Sequence, residues 1–349
     1  MNDVHDSCLK NKEENYKKQH SYKIIRALGR GAFGTTYLVE KQSKMYVLKS
    51  IKLTPKNISD IYTEIDVLKK IAKSGCRKDI LCYHDQFVNC DNQTLNIVTL
   101  AFEDSITLTD YIKSYQKIRA NIPRKDILKI MYNLANGFNY LSELGIAHSD
   151  IKPDNILINE KTLDIQIIDF GLSCIEHCKP SGTIMFASPE VLRKIGPYAE
   201  EISVGSVLSS DVFSLGIVFY LLANLKLPYS TTRRHQYEYD SYSDSDSDSD
   251  DDSDNDSESS VAEDVMKQQK VIPGSRPIDI SNELAAIGQL YKFYKNNLII
   301  SMYNDNQTDT DKQINELIES MLKVDTSDTG RPSVSTVRKV LAKLKAKVL

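Results

Sequence analysis

Short runs rich in β-branched and aromatic residues, separated by glycine or by polar turns, open the chain: Tyr22 to Leu28, Thr35 to Glu40 and Lys44 to Ile51 are predicted as β-strands. The pattern then changes period. From Asp60 to Ala72 the apolar positions are 61, 65, 68 and 71, a stripe at helical spacing, with Ser59 or Asn57 available as N-cap. Leu95 to Leu100 returns to strand character. A second helix is expected from Lys125 to Leu144, and the longest apolar run, near Leu215 to Ala223, falls far short of the ~20 residues of a membrane span. No apolar stretch follows the polar start Met1 to Lys23, so a soluble, intracellular chain is expected, in cytoplasm or nucleus and without a membrane partner.

Composition adds two points. At 349 residues the chain exceeds the usual single-core size, which suits two lobes around a cleft. Its six cysteines contain no CxxC pair, so neither a zinc site nor a disulfide framework is indicated and reduced thiols are expected.

Charge is unevenly spread. Residues 238–264 hold thirteen acidic side chains and no Lys or Arg, so with a net charge of −4 overall the remainder carries +9. Ser and Asp alternate from Ser241 to Asp250 apart from Tyr242, and this tract has almost nothing apolar to bury. It is expected to be disordered, with attraction to basic proteins or to the chain's own basic body as one role and a neutral repeat expansion as the other. The basic C-terminal run around Lys339, Lys343 and Lys347 lacks interleaved aromatics, so it reads as the solvated face of a helix and not as a nucleic-acid site.

The chemistry is concentrated in His148-Ser149-Asp150-Ile151-Lys152-Pro153-Asp154-Asn155, followed fourteen residues later by Asp169-Phe170-Gly171. Phosphoryl transfer needs a carboxylate to orient an attacking hydroxyl, cations for the phosphate and hard oxygen ligands for Mg²⁺. Asp150 suits the first task, Lys152 the second, and Asn155 with Asp169 the third. Taken singly, each has a bland reading: Asp150 and Asp169 as turn residues, Lys49 as a surface lysine on a strand, Glu64 as a solvated helix residue.

The ordered set resembles the eukaryotic protein kinase family. Leu28-Gly29-Arg30-Gly31-Ala32-Phe33-Gly34 looks like its glycine-rich loop, Tyr46-Val47-Leu48-Lys49 like the strand carrying the phosphate-binding Lys, and Glu64 like the helical partner of that Lys. Gly182 to Glu190, Asp211 to Gly216 and Arg331-Pro332 complete the order, so the resemblance covers roughly residues 22 to 345. It implies an α+β, bilobal kinase fold: a β-rich N-lobe with one main helix over 22–101, a mostly helical C-lobe over 102–349 interrupted by the acidic insert, and a polar tail over 1–21. It implies ATP and Mg²⁺ as cofactors and proteins bearing Ser or Thr acceptors as substrates, with Lys152 and Gly182-Thr183 pointing to the Ser/Thr-specific class.

Residue by residue, the resemblance makes Asp150 the catalytic base, assisted by Lys152 and Thr183, and makes Asn155 and Asp169 the metal ligands. It places Leu28, Gly29, Gly31, Gly34, Thr36, Val47, Lys49, Glu64, Thr99 and Leu157 around the nucleotide, with Thr99 as gatekeeper before a hinge near Leu100 to Glu103. Glu190 is expected to pair with Arg331. The pattern is broken in three places, by four residues. Ser149 replaces the Arg that usually precedes the catalytic Asp and docks a phosphorylated activation segment. Thr36 and Val47 stand where Val and Ala commonly cover the adenine, and Ser188 replaces the Ala of Ala-Pro-Glu. Activity independent of activation-segment phosphorylation is therefore expected. A scaffold lacking activity would be favoured by loss of Lys49, Asp150 or Asp169, and none is lost; a small-molecule kinase would lack the segment from Gly182 to Glu190.

Overall fold

A computed structural model describes residues 12–31, 34–89, 93–195, 200–229, 283–296, 308–324 and 330–348. The acidic insert lies outside the described residues. The first three strands form where β-branched and aromatic runs and turn residues place them: β1 (Lys23–Gly31), β2 (Gly34–Lys41) and β3 (Lys44–Lys52). With β4 (Tyr83–Asn89) and β5 (Thr94–Leu100) they make an antiparallel sheet of order β1-β2-β3-β5-β4. One segment has structure where the sequence suggested none. Lys12–Ser21 forms a helix, α1, which meets the edge strand β4 through Lys18 and Asp85, 3.0 Å apart, and through Asn15, whose side-chain oxygen accepts the Val88 N–H.

Successive residues of a strand point to opposite faces, and this decides what each face does. One face of the sheet carries Tyr46, Leu48 and Val98, which bury with Tyr22, Val39 and Phe87 in a small cluster. The other carries Ile51, Leu95 and Ile97, which join the main core together with the helix α2 (Ile58–Lys73). On α2 the predicted stripe is fully inside: Ile61, Ile65, Leu68 and Ile71 are all at most 5% exposed. Each such side chain contributes about 1.5–3 kcal/mol on burial, so the stripe fixes which way the helix faces. That rotation brings Glu64 inward as well. Asn57 takes the N-cap position without a side-chain cap bond, its amide bridging the Thr54 N–H and the Lys52 carbonyl instead, and Ser59 lies inside the helix.

Beyond β5 the chain turns helical. α3 (Leu108–Lys117) starts at the N-cap Thr107, and α4 (Arg124–Glu143) runs into the loop that carries Asp150. A small sheet of β6 (Ile106–Thr107), β7 (Ile156–Ile158) and β8 (Ile165–Ile167) holds that loop from below. The chain continues through β9 (His177–Cys178), α5 (Pro189–Leu192), β10 (Ile202–Ser203) and α6 (Val204–Asn224), then α7 (Glu283–Asn296), α8 (Asp309–Met321) and α9 (Val334–Val348). By length and composition α6 could cross a membrane, a length the apolar run read from the sequence does not reach. Its side chains from Ser210 to Leu222 are buried, most of them in the core that also takes in α4, α8 and α9.

Two expectations about cysteine are corrected. Cys76 is joined to Cys82, and Cys174 to Cys178. Each pair has its Cα atoms 5.5 Å apart, within the range a bridge requires. The fold creates these approaches, by the turn that leads α2 into β4 and by the short excursion between Ser173 and β9. The sequence spacing carried no sign of them. Cys8 and Cys90 lie outside the described residues.

Candidate active site

The site has two ion clusters. The first joins the sheet, α2 and the segment after β8. Lys49 Nζ lies 2.7 Å from Glu64 Oε1 and 3.0 Å from Asp169 Oδ1. Burial alone would lower the Lys49 pKa, but the two carboxylates outweigh it and raise it, so the lysine stays a cation. Burial likewise acts to raise Asp169, and the Lys49 charge and hydrogen bond overcome it and hold the carboxyl below its usual range. The Asp169 side chain is 40% exposed while Glu64 is 6% exposed. The open carboxylate is therefore the one able to meet an incoming cation, and the closed one positions the lysine. Gly171 sits against this cluster, where a Cβ would come within 3.3 Å of Asp169 Oδ1.

Register explains why residues expected around the nucleotide share a face. Thr36 pairs with Gly29 on β1 and with Lys49 on β3, and Val47 pairs with Leu38 on β2 and with Thr99 on β5. Cross-strand partners point the same way, so Thr36, Val47, Lys49 and the buried Thr99 lie on one side of the sheet, the side facing α2. Gly34 has φ +157°, and a Cβ there would collide with the Ser50 carbonyl, so the turn between β1 and β2 requires glycine at this position for its own packing. At Gly29 a Cβ would meet no protein atom, which leaves that stretch of backbone open for a ligand. Gly31 pairs with Gly34 at the strand end. Leu28, beside Gly29 on β1, is 41% exposed. Leu157 lies two residues past Asn155 on β7, half-buried between the buried Ile156 and Ile158.

The second cluster surrounds Asp150. Its Oδ1 accepts from the Thr183 N–H at 2.8 Å and the Thr183 hydroxyl at 2.7 Å; its Oδ2 accepts from the Asn155 amide at 2.9 Å and lies 2.9 Å from Lys152 Nζ. Lys152 also donates to the Thr183 hydroxyl at 2.7 Å. Burial pushes the Asp150 pKa up, but Lys152 and Thr183 outweigh it and hold it below the usual carboxylate value, so the group is ionised at neutral pH. Asn155 commits its NH₂ to Asp150 and leaves its amide oxygen as a hard donor. The Asn155 carbonyl accepts the Ile168 N–H at 3.0 Å, which lays the residue before Asp169 against Asn155. The two expected metal ligands are thus brought together by backbone pairing, and both offer the oxygen chemistry that Mg²⁺ takes.

Behind the second cluster stands a residue whose motif was noted in the sequence but whose task was not. Asp211, on α6, accepts the N–H groups of His148 at 2.7 Å and Ser149 at 3.0 Å. The hydrogen bonds hold Ser149 at φ +66°, an unfavourable conformation for a residue with a side chain. His148 is fully inside, bonded to the Ile168 carbonyl at 3.0 Å and packed on Phe170. The expected pair at the far end is also present: Arg331 donates to both Glu190 oxygens, to Oε2 at 2.9 Å, and to the carbonyls of Ser209 and Lys323.

A family model described as a protein kinase domain matches residues 22–341. Curated relatives include the serine/threonine-protein kinase nekl-2 of Caenorhabditis elegans, 30% identical over 223 residues, covering 59% of this chain and 58% of the relative. A probable casein kinase II subunit alpha homolog of Encephalitozoon cuniculi is 30% identical over 213 residues, covering 60% of each. The serine/threonine-protein kinase cds1 of Schizosaccharomyces pombe is 28% identical over 232 residues, covering 60% of this chain and 46% of the relative. The matched part spans three fifths or less of each of these relatives.

Proposed function

The chain belongs to the protein kinase domain family, and from that premise we propose that it transfers the γ-phosphate of ATP to Ser or Thr hydroxyls of protein substrates. The observation that carries this reading is the convergence of Lys152, Asn155 and Thr183 on the Asp150 carboxylate. An ionised carboxylate held by four donors is kept in one orientation, and it can orient a hydroxyl and take its proton. Lys152, which already bridges Asp150 and Thr183, can turn its remaining donor to the transferred phosphate. Lys49, fixed by Glu64, presents its charge to the phosphates on the sheet side. Asn155 and Asp169 would hold Mg²⁺, which when bound neutralises phosphate charge. Leu28, Thr36, Val47, Thr99 and Leu157 would enclose the base.

Ser149 offers no cation to a phosphate on the activation segment, which supports activity without phosphorylation there. The acidic insert is read as a contact for basic proteins and not as part of the chemistry. The test is phosphotransfer from Mg·ATP to a Ser/Thr peptide library. Activity should fall by roughly a thousandfold in Asp150→Asn and in Lys49→Met. Unchanged turnover in both variants would remove the assignment.

A further inference from the structure

The Cys174–Cys178 bridge sits at the root of the segment that carries Thr183, and three sets of contacts make it a junction. Cys174 exchanges both backbone hydrogen bonds with Ala147 at 3.0 Å, immediately before His148-Ser149-Asp150, and the Ser173 hydroxyl donates to the His148 carbonyl at 3.1 Å. Cys178 pairs with Ile202 on β10, and the Val204 N–H donates to the Glu176 carbonyl at 3.1 Å, so the other end of the bridge is tied to the start of α6. α6 is the helix whose Asp211 holds the catalytic-loop amides. The two half-cystines pack with Ala147 and Val207 in a small buried cluster of their own. Cys174 Sγ also lies 4.0 Å from the Ser149 hydroxyl.

We propose that the Cys174–Cys178 disulfide is a regulatory modification site, reducible by dithiols, that holds the activation segment in its productive position. Within the described residues the sulfurs are buried, but the three residues between them form a short, open loop: Glu176 and His177 are exposed, and so is Lys179 just after. A dithiol reaches the bridge by displacing three residues. Its thiolate attacks Cys174 Sγ, the less buried of the two, forming a mixed disulfide while the S–S bond breaks and Cys178 leaves as thiolate. The second thiol of the reagent then closes a disulfide on itself, releasing Cys174. The reagent loses two electrons, and the two cysteines gain two electrons and two protons. Without the bridge, the ladder to Ala147 and the pair to Ile202 are no longer joined by a covalent tie, and the segment that places Thr183 gains conformational freedom.

The kinetic arm of the test rests on the phosphotransfer reading; the structural arm does not. The full chain is equilibrated with oxidised or reduced dithiothreitol, free thiols are trapped with iodoacetamide, and two rates are measured: cleavage after the exposed Glu176 by the Glu-specific V8 protease, read by mass spectrometry, and phosphotransfer to a generic peptide. Reduction is expected to place adducts on Cys174 and Cys178, to speed cleavage after Glu176 about tenfold and to lower kcat about tenfold with the KM for ATP held within about twofold. The double variant Cys174→Ser with Cys178→Ser should behave as the reduced form under both conditions, and Cys76→Ser with Cys82→Ser should keep the full response. Adducts on Cys174 and Cys178 in the oxidised sample, or equal cleavage rates in the two states, would overturn the proposal, and the wild-type comparison decides it even if a variant fails to fold. Absence of phosphotransfer in both states with the cleavage difference intact would count against the catalytic reading alone.

Discussion

The Thr183 hydroxyl lies 2.7 Å from both the Asp150 carboxylate and the Lys152 ammonium, donating to the first and accepting from the second. One small side chain, 33 residues on from the expected base, thereby connects that base to Lys152. The connection works because Gly182, with φ +122°, turns the chain so that the Thr183 N–H and hydroxyl both face Asp150.

If that hydroxyl positions the two groups, its chemistry matters more than its bulk. Thr183→Ala should lower kcat by roughly 10- to 100-fold with a smaller change in KM, and Thr183→Ser should recover most of the loss. Steady-state kinetics on the three proteins checks this; equal losses in Ala and Ser would point to packing by the methyl group instead.

Gly182 has a steric reason to be glycine. A Cβ there would run into the backbone carbonyl of Ser149, and carbonyl backbone cannot move aside as a flexible side chain can. Gly182→Ala should cut phosphotransfer at least tenfold while leaving thermal unfolding within a few degrees of wild type, since the strain falls on a partly exposed loop.

The Glu190–Arg331 pair should show in stability against pH. Burial acts to raise Glu190, but hydrogen bonds and charge from Arg331 outweigh it and hold the carboxyl below its ordinary value of 4.5. A depressed folded pKa means stability that is fully present above pH 4.5 and is lost as pH falls below it. Glu190→Gln leaves the guanidinium, 3% exposed, without its anion and should cost about 3 kcal/mol at pH 7. Denaturant midpoints at pH 7 and pH 4 provide the check: the gap between wild type and variant should narrow at the lower pH.

Ser173, Ser181 and Thr183 are the activation-segment hydroxyls on which independence from phosphorylation is tested. Ser173 is buried and spends its hydroxyl on the His148 carbonyl, so a kinase could reach it only after the segment opens. Phosphatase treatment of purified protein should leave the phosphotransfer rate within about twofold. A large loss restored by rephosphorylation of this segment would show that a cation other than the missing arginine docks the phosphate.

Deleting residues 238–264 removes thirteen negative charges and none of the site residues. Basal peptide phosphorylation should survive the deletion, while binding to a basic protein measured at low salt should weaken severalfold and lose much of its salt dependence. Loss of folding on deletion would make the tract structural.

The sequence alone placed β1 to β3, α2 and α4 and singled out the candidate reacting groups, while α1 escaped it. The β-branched and aromatic runs of β1 to β3, the helical stripe of α2 and the ordered run from His148 to Gly171 are local properties, and local spacing dictates which side chains of a helix share a face. Glu64 could be placed beside the apolar stripe for this reason, and Arg331 could be matched to Glu190 through the family's order. Only the tertiary structure decided how distant segments meet. That Asp211 reaches back from α6 to hold two amides of the catalytic loop, that Gly182 is pressed against Ser149, and that four cysteines pair are approaches set by the packing of α6 and by the turns between elements. No periodicity records such approaches, because they depend on the summed burial of a core spread over both lobes and not on any single stretch of chain.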